Sequence, residues 1–421
     1  MKILVVGGGG REHAIIAKIS DNPQVEHIYA LPGNGGLAML AECVPIKATD
    51  ITAIRDFALE KKVDFVVVAP DDPLVAGAVN LLEEAGIPCF GPRKEAAIIE
   101  GSKVFAKELM RKYAIPTAAC AVFEDANEAI AYCAAAPHYP LVIKADGLAL
   151  GKGVLIAGSA KEAKADIVSI MQERVFGASG SRVVIEEFLS GPEVSVLAFT
   201  DGHTIVPMIS SMDHKRAQDG DLGLNTGGMG ALAPNPYYTD EIAKECMKKI
   251  YLPTIQAMQA EGRLFKGCLY FGLMLTERGP CVIEYNCRFG DPETQAVLPL
   301  LQSDLLTIMQ AVSEERLHEI EVKFSSQKAC CLVLASGGYP QRYETGLPIK
   351  IGATGQAQIY HAGTTLKNGA LYTSGGRVLG ITSLGATLPE AVEHAYQAAK
   401  QIEFQNMYYR RDIGQKALHK E

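Results

Sequence analysis

Glu284 and Asn286 stand two residues apart at the end of the apolar run Cys281-Val282-Ile283, and Arg288 follows after two more. On a strand that spacing sends the carboxylate and the amide to one face, and Arg288 continues the face if the strand runs on. Carboxylate and amide oxygens suit Mg2+, which keeps few protein ligands and completes its shell with water and phosphate oxygens. A fixed guanidinium beside such an ion can grip a phosphoryl group through two parallel hydrogen bonds. Taken alone, a Glu-x-Asn pair is more often the mark of a surface strand with an ordinary ion pair, so the rest of the chain must decide.

Two further segments carry chemistry of the same kind. Leu141-Val142-Ile143-Lys144 leads into Ala145-Asp146-Gly147-Leu148-Ala149-Leu150-Gly151-Lys152-Gly153 and then a second apolar run. This is a hairpin rather than a strand-loop-helix phosphate loop, which requires Gly-Lys-Ser/Thr. Its glycines and Lys152 can fold over nucleotide phosphates as a lid that excludes water, with Lys144 reaching the phosphates from the strand. Downstream, Val183-Val184-Ile185-Glu186-Glu187-Phe188-Leu189-Ser190-Gly191-Pro192-Glu193 is an apolar run that ends in acids and bends. Backbone groups near Glu186 and Leu189 can pair with adenine, and Glu193 can take ribose hydroxyls. Each of these acids also fits a plain solvated turn.

At the start of the chain, Gly7-Gly8-Gly9-Gly10-Arg11-Glu12-His13 follows a strand and opens a helix, a junction that favours an anion. A dinucleotide site there needs an acid after the second strand. His27-Ile28-Tyr29-Ala30 instead runs into Leu31-Pro32-Gly33-Asn34-Gly35-Gly36. A phosphorylated small substrate held by residues 8–11 and Asn34 is the better reading, a nicotinamide oxidoreductase the weaker one. The plainest alternative makes the glycines serve helix–sheet packing only.

The elements that position these residues fall into three textures. Residues 1–100 alternate strands (3–6, 27–30, 65–69, 88–91) with helices (12–19, 75–85), which predicts a doubly wound, mainly parallel sheet. Residues 101–325 hold longer helices, the two glycine-rich loops and the Glu-x-Asn motif. Residues 326–421 begin with a strand over 329–335 and end with an Ala-rich helix over 389–401. A chain of 421 residues with 48% hydrophobic and 21% charged residues is an ordinary globular composition for several cores. A net charge of −8 and basic runs as short as Lys61-Lys62 and Arg410-Arg411 argue against nucleic acid. No apolar run is long enough to span a membrane. Ten cysteines without a C-x-x-C pair suggest reduced, buried thiols in a cytoplasmic protein. Cys330 and Cys331, adjacent on a strand, face opposite ways.

Lysine hairpin, acidic hinge and Glu-x-Asn with its Arg occur in the order of the ATP-grasp fold. Asp213-His214-Lys215-Arg216, Asn225-Thr226-Gly227-Gly228-Met229-Gly230-Ala231 and Arg288-Phe289-Gly290-Asp291-Pro292-Glu293 together resemble the glycinamide ribonucleotide synthetase family (phosphoribosylamine–glycine ligases). So do Gly9–His13, Pro32-Gly33-Asn34-Gly35-Gly36, His361-Ala362-Gly363-Thr364 and Thr373-Ser374-Gly375-Gly376-Arg377-Val378-Leu379. The resemblance runs from end to end. It implies an α/β architecture with an N-terminal Rossmann-like substrate-binding domain (1–100), an ATP-grasp domain (101–325, lid subdomain about 120–190) and a small α+β C-terminal domain (326–421). It implies joining of glycine to 5-phosphoribosylamine through glycyl phosphate, with ATP split to ADP and phosphate, in the second step of purine synthesis. The implied cofactor is Mg2+ or Mn2+ on Glu284 and Asn286. Arg288, Asp213 and Lys144 would be catalytic. Lys103, Lys144, Gly147, Gly151, Lys152, Glu186, Leu189 and Glu193 would bind ATP. Gly9, Gly10, Arg11, Asn34, Asp213, Asn225, Gly228, Arg288, Asp291 and Pro292 would meet the other substrates. The implied partners are these small molecules only, without nucleic acid or membrane, on a monomer or weak homodimer.

Four positions depart from the family pattern. Ala69-Pro70-Asp71 stands where Gly-Pro-Glu is usual, and Leu222 and Leu224 stand where Lys and Pro are common. The strand 270–275 carries no acidic residue, so a second metal ligand set is missing there. A bicarbonate-using ATP-grasp ligase would share the nucleotide clamp but not the 213–216 and 288–293 motifs together. A non-catalytic nucleotide sensor would have lost the phosphate ligands that this chain keeps.

Overall fold

A computed structural model describes residues 1–148 and 153–418. The first hundred residues build a five-stranded parallel sheet in the spatial order Glu42–Cys43, His27–Pro32, Lys2–Gly7, Phe65–Val68, Cys89–Phe90. Helices cover the sheet, so Ile3, Leu4, Val5 and Val6 are all buried, as the unbroken apolar run of a parallel strand requires. Strand order reverses at Lys2–Gly7, and the crevice beyond the carboxyl ends of strands at such a point is where ligands bind. There Gly7 lies in register with Pro32 and its carbonyl accepts from Gly33 N at 3.2 Å, which brings the two glycine turns together. The single helix expected over 75–85 is two, Asp71–Ala76 and Ala78–Glu84. Gly77 at φ +93° ends the first in a left-handed cap that an apolar periodicity does not reveal.

Past the helix Lys103–Lys112, the strands Cys120–Phe123, Val183–Glu187, Leu141–Ala145 and Val154–Ala157 form, in that order, an antiparallel sheet. Its own small core includes Ala129, Ile143, Ile167 and Ile185, from the sheet and the helices Ala126–Ala134 and Ala160–Ile167. A second antiparallel sheet runs Ile205–Pro207, Glu193–Thr200, Gly267–Thr276, Gly279–Asn286. Thr117 bridges to Val282, and Lys144 Nζ donates to Ile283 O at 2.8 Å, so the two sheets touch along the strand that carries Glu284.

A third antiparallel sheet crosses the 325/326 junction. Met212–Asp213 and Gly230–Ala233 pair into it beside Lys328–Ser336, followed by Arg377–Gly385 and Gln358–His361. Cys330 packs into the core under the helix Leu388–Ala399, and Cys331 into the core on the opposite face. All ten thiols are free, and only Cys43 and Cys120 are partly exposed. Among the described residues no helix is long and apolar enough to cross a membrane.

Candidate active site

The strand Gly279–Asn286 stops at Asn286, yet Arg288 stays with its neighbours: its Nη2 lies 3.4 Å from Asn286 Oδ1. Buried Glu100 holds it there, with Oε1 2.9 Å from Arg288 Nη2 and Oε2 accepting from Cys287 N at 2.7 Å. Asp71 Oδ2 approaches the same guanidinium at 3.8 Å, so the shortened acid of the Ala-Pro-Asp turn still faces the site. Burial opposes the arginine's charge, but Glu100 and Asp71 outweigh it and hold the group protonated. Arg288 Nε is buried without a protein partner.

Lys215 Nζ stands 3.4 Å from Glu284 Oε1 and 3.0 Å from Glu193 Oε2. Lys215 is the main reason that the Glu284 carboxyl falls to about 2, against burial and with help from Lys144 and Lys103. The carboxylate is therefore ionised at any physiological pH. Glu284 and Asn286 supply two hard oxygens among three ammonium groups, and among the described residues no group of three or more His, Cys, Asp or Glu is placed to hold a metal ion. Such a set fits a divalent cation that arrives with phosphate oxygens, which offset the lysines, and does not fit a protein-only cage.

Lys103 Nζ donates to Gly147 O at 2.8 Å at the mouth of the hairpin; Gly151 and Lys152 lie outside the described residues. Gly147 takes φ +119°, and a side chain there would run into Ser179. Glu186 is clasped at 2.9 Å by both Lys144 and Lys107. Its backbone lies in a central strand between Cys120 and Val142, and the strand ends in a hinge beyond Glu187. Leu189 is buried there against Ala118 and Cys281, with Met274 and Ile283 alongside, an apolar patch between the two sheets.

At the N-terminal glycine turn, Gly9, Gly10, Asp291 and Gln295 pack together. Gln295 Nε2 donates to Asp291 Oδ1 at 2.6 Å, and a Cβ on Gly10 would meet that nitrogen at 2.4 Å. Arg377 closes the group from the third sheet, 3.3 Å from Asp291 Oδ2 and donating to Asp291 O at 2.7 Å and Gly227 O at 2.6 Å. Gly228, at φ +113°, is wedged between Pro292 and Asp213. Asp213 Oδ1 is buried without a partner. Burial and then the nearby Glu293 carboxyl push the Asp213 carboxyl well above its ordinary range, and burial raises Glu293 as well. Arg11 pairs with Glu12 at 2.7 Å and donates to Phe289 O at 3.0 Å, which turns it toward Arg288's segment. Asn225 faces Arg216 across a short hairpin, three residues before Gly228.

Asn34 is fully engaged within the protein. Its Nδ2 donates to Gly8 O and His361 O at 2.9 and 2.8 Å, and its Oδ1 accepts from Gly36 N and Leu37 N, both at 2.9 Å. With all four of its positions used, the amide holds the glycine turn in place.

Sequence reading passed over Glu100, Lys107, Lys215, Glu293 and Arg377 as individual actors. Lys107 had a signal, since it lies one helical turn after Lys103 and shares its face. Lys215, Glu293 and Arg377 sat inside motifs that matched as wholes. Glu100 ends an ordinary helix, and nothing local marks it.

Residues 101–294 match the ATP-grasp (A) domain of phosphoribosylglycinamide synthetase, residues 1–100 its N domain and residues 329–416 its C domain. The phosphoribosylamine–glycine ligase of Caldanaerobacter subterraneus subsp. tengcongensis is 49% identical over 414 residues, 98% of this chain and 99% of that one. That of Vibrio cholerae is 46% identical over 429 residues, 100% and 99% of the two chains. The crystal structure of phosphoribosylamine–glycine ligase from Thermotoga maritima superposes with TM-score 0.85 at 34% identity, covering 98% of this chain and all of that one. The biotin carboxylase domain of Hydrogenobacter thermophilus 2-oxoglutarate carboxylase has TM-score 0.75 at 16% identity over 97% and 91% of the chains, a likeness of fold alone.

Proposed function

The chain belongs to the phosphoribosylglycinamide synthetase family, and from that premise we propose that it ligates glycine to 5-phosphoribosylamine with cleavage of ATP to ADP and phosphate. The observation that carries this reading is the junction at residues 284–293. There Glu284, Asn286 and Arg288 leave the nucleotide sheet, and a little further along the chain Asp291 meets the glycine turn and Arg377. A phosphoryl donor on one side and a phosphorylated amine on the other would then share one short segment.

In the chemistry we infer, a glycine carboxylate oxygen attacks the terminal phosphorus of ATP and the bond to ADP breaks. The amine of phosphoribosylamine attacks the resulting glycyl phosphate, the C–N bond forms and phosphate leaves. Mg2+ or Mn2+, held by Glu284 and Asn286, would supply charge neutralisation at the phosphates. Arg288, fixed by Glu100, faces the oxygens of the transferring group, where a preorganised donor acts most strongly. Lys103 and Lys144 meet the remaining phosphates, Leu189 and its apolar neighbours the adenine, and Glu193 the ribose. Asp213, with an unpartnered Oδ1 beside Gly228, receives the proton that the attacking amine gives up. Gly9, Gly10, Arg11 and Asp291 border the phosphoribosyl group. Catalysis is then mostly positioning and charge.

ADP release measured with MgATP, glycine and freshly generated phosphoribosylamine, omitting each in turn, tests the reading. Dependence on all three supports it. Release without glycine, or only with bicarbonate, would keep the fold and replace the acceptor.

A further inference from the structure

We propose that Lys215 is a place-holding counter-ion: its ammonium occupies the carboxylates of the nucleotide site and excludes free divalent cations until nucleotide phosphates draw it away. The inference rests on the metal role given above to Glu284. Lys215 Nζ bridges the two acids to which the proposed function gives separate tasks, Glu193 at 3.0 Å and Glu284 at 3.4 Å. A dication that takes Glu284 must share that carboxylate with a positive charge a few ångströms away, and like charges at this range repel strongly in a partly buried site. Nucleotide phosphates reverse the balance, because they offer the ammonium a stronger anionic partner.

The backbone at this position is fixed. Lys215 O accepts from both Thr226 N and Thr226 Oγ1, each at 2.8 Å, which ties it to the loop beside Gly228. Only the flexible four-carbon stem is free to swing. One movement of that stem clears the metal carboxylate and the ribose carboxylate together. Metal and nucleotide would therefore enter as one complex, and metal alone would be refused. Lys103 and Lys144, which face the same carboxylate, do not take this part: Lys103 rests on Gly147 O and Lys144 on Glu186 and Ile283 O, and only Lys215 among the described residues bridges Glu193 and Glu284.

The test is Mn2+ binding followed by electron paramagnetic resonance of the free ion, with and without ADP. Without nucleotide, Lys215→Met should bind Mn2+ about tenfold or more tightly than the unsubstituted protein, as loss of a near positive charge requires. Lys215→Arg should stay at the unsubstituted level, and Lys215→Met should bind ADP with Mn2+ less tightly. Lys215→Gln serves the same purpose should the methionine variant fail to fold. If Lys215→Met leaves Mn2+ affinity unchanged while Glu284→Gln abolishes ADP-supported Mn2+ binding, the place-holder is overturned and the metal site stands. If ADP-supported binding survives Glu284→Gln, the metal assignment falls and the place-holder with it.

Discussion

Arg288 and Glu100 have to be considered as one unit, because each is buried and each is the other's main counter-charge. Arg288→Lys keeps a cation near Glu100 but removes the fork, so the fold should survive while kcat drops by about 10²–10³, the loss expected for one preorganised donor. Arg288→Ala should also destabilise the protein by about 3–5 kcal/mol in urea unfolding, because Glu100 is left as an uncompensated buried charge. Equal stability of the two variants would contradict the pairing. Arg11→Ala should raise KM for phosphoribosylamine far more than KM for ATP; an equal rise would remove Arg11 from the acceptor side. At this scale the sequence was legible wherever spacing alone orients a side chain. Glu284 and Asn286 share a strand face by arithmetic. Glu100 meets Arg288 across 188 positions, a contact that only the folded chain creates.

Among the elements, the loop 225–230 carries a clear test. Gly228 has φ +113°, and a Cβ would lie 2.4 Å from Pro292 Cδ and 2.6 Å from Asp213 Oδ1. Gly228→Ala must therefore displace either the Asp213 strand or the start of the helix Glu293–Val297. We expect kcat/KM for glycine and phosphoribosylamine to fall at least tenfold, a loss of more than about 1.4 kcal/mol, while ADP affinity by calorimetry stays unchanged. A matching loss of ADP affinity would show the loop to be shared between the two halves of the site. Four of the five strands of residues 1–100 and the strands flanking the lysine loop were readable as short apolar runs bounded by glycine or proline, whereas the two-residue edge strand Glu42–Cys43 was not. The break at Gly77 was not, since the apolar spacing on either side continues in phase. Nor was the third sheet's membership, because short strands such as Met212–Asp213 carry no periodicity of their own.

Across the whole molecule, three buried imidazoles sit at joints between distant segments. His13 Nδ1 accepts from His361 N at 3.0 Å and the two rings stack, while His214 Nε2 accepts from Gly414 N at 3.3 Å. An imidazole nitrogen that accepts is unprotonated, and burial pushes His13 down to about 3 and His361 and His214 to about 4. The unfolded chain takes up these protons near pH 6.5 and the folded chain does not, so stability is full above that pH and falls as pH drops below it. Each imidazole should cost roughly 2 kcal/mol between pH 7 and 5. Urea midpoints at the two pH values check this, and a flat profile would contradict it. The third sheet has a consequence for anyone who divides this protein. A cut at 325 strips Gly230–Ala233 from residues 329–332 and leaves four strand positions with open hydrogen-bonding groups on an apolar flank. Residues 326–421 produced alone would offer that edge to copies of themselves, so these regions can be recognised separately in sequence but not expressed as separate parts.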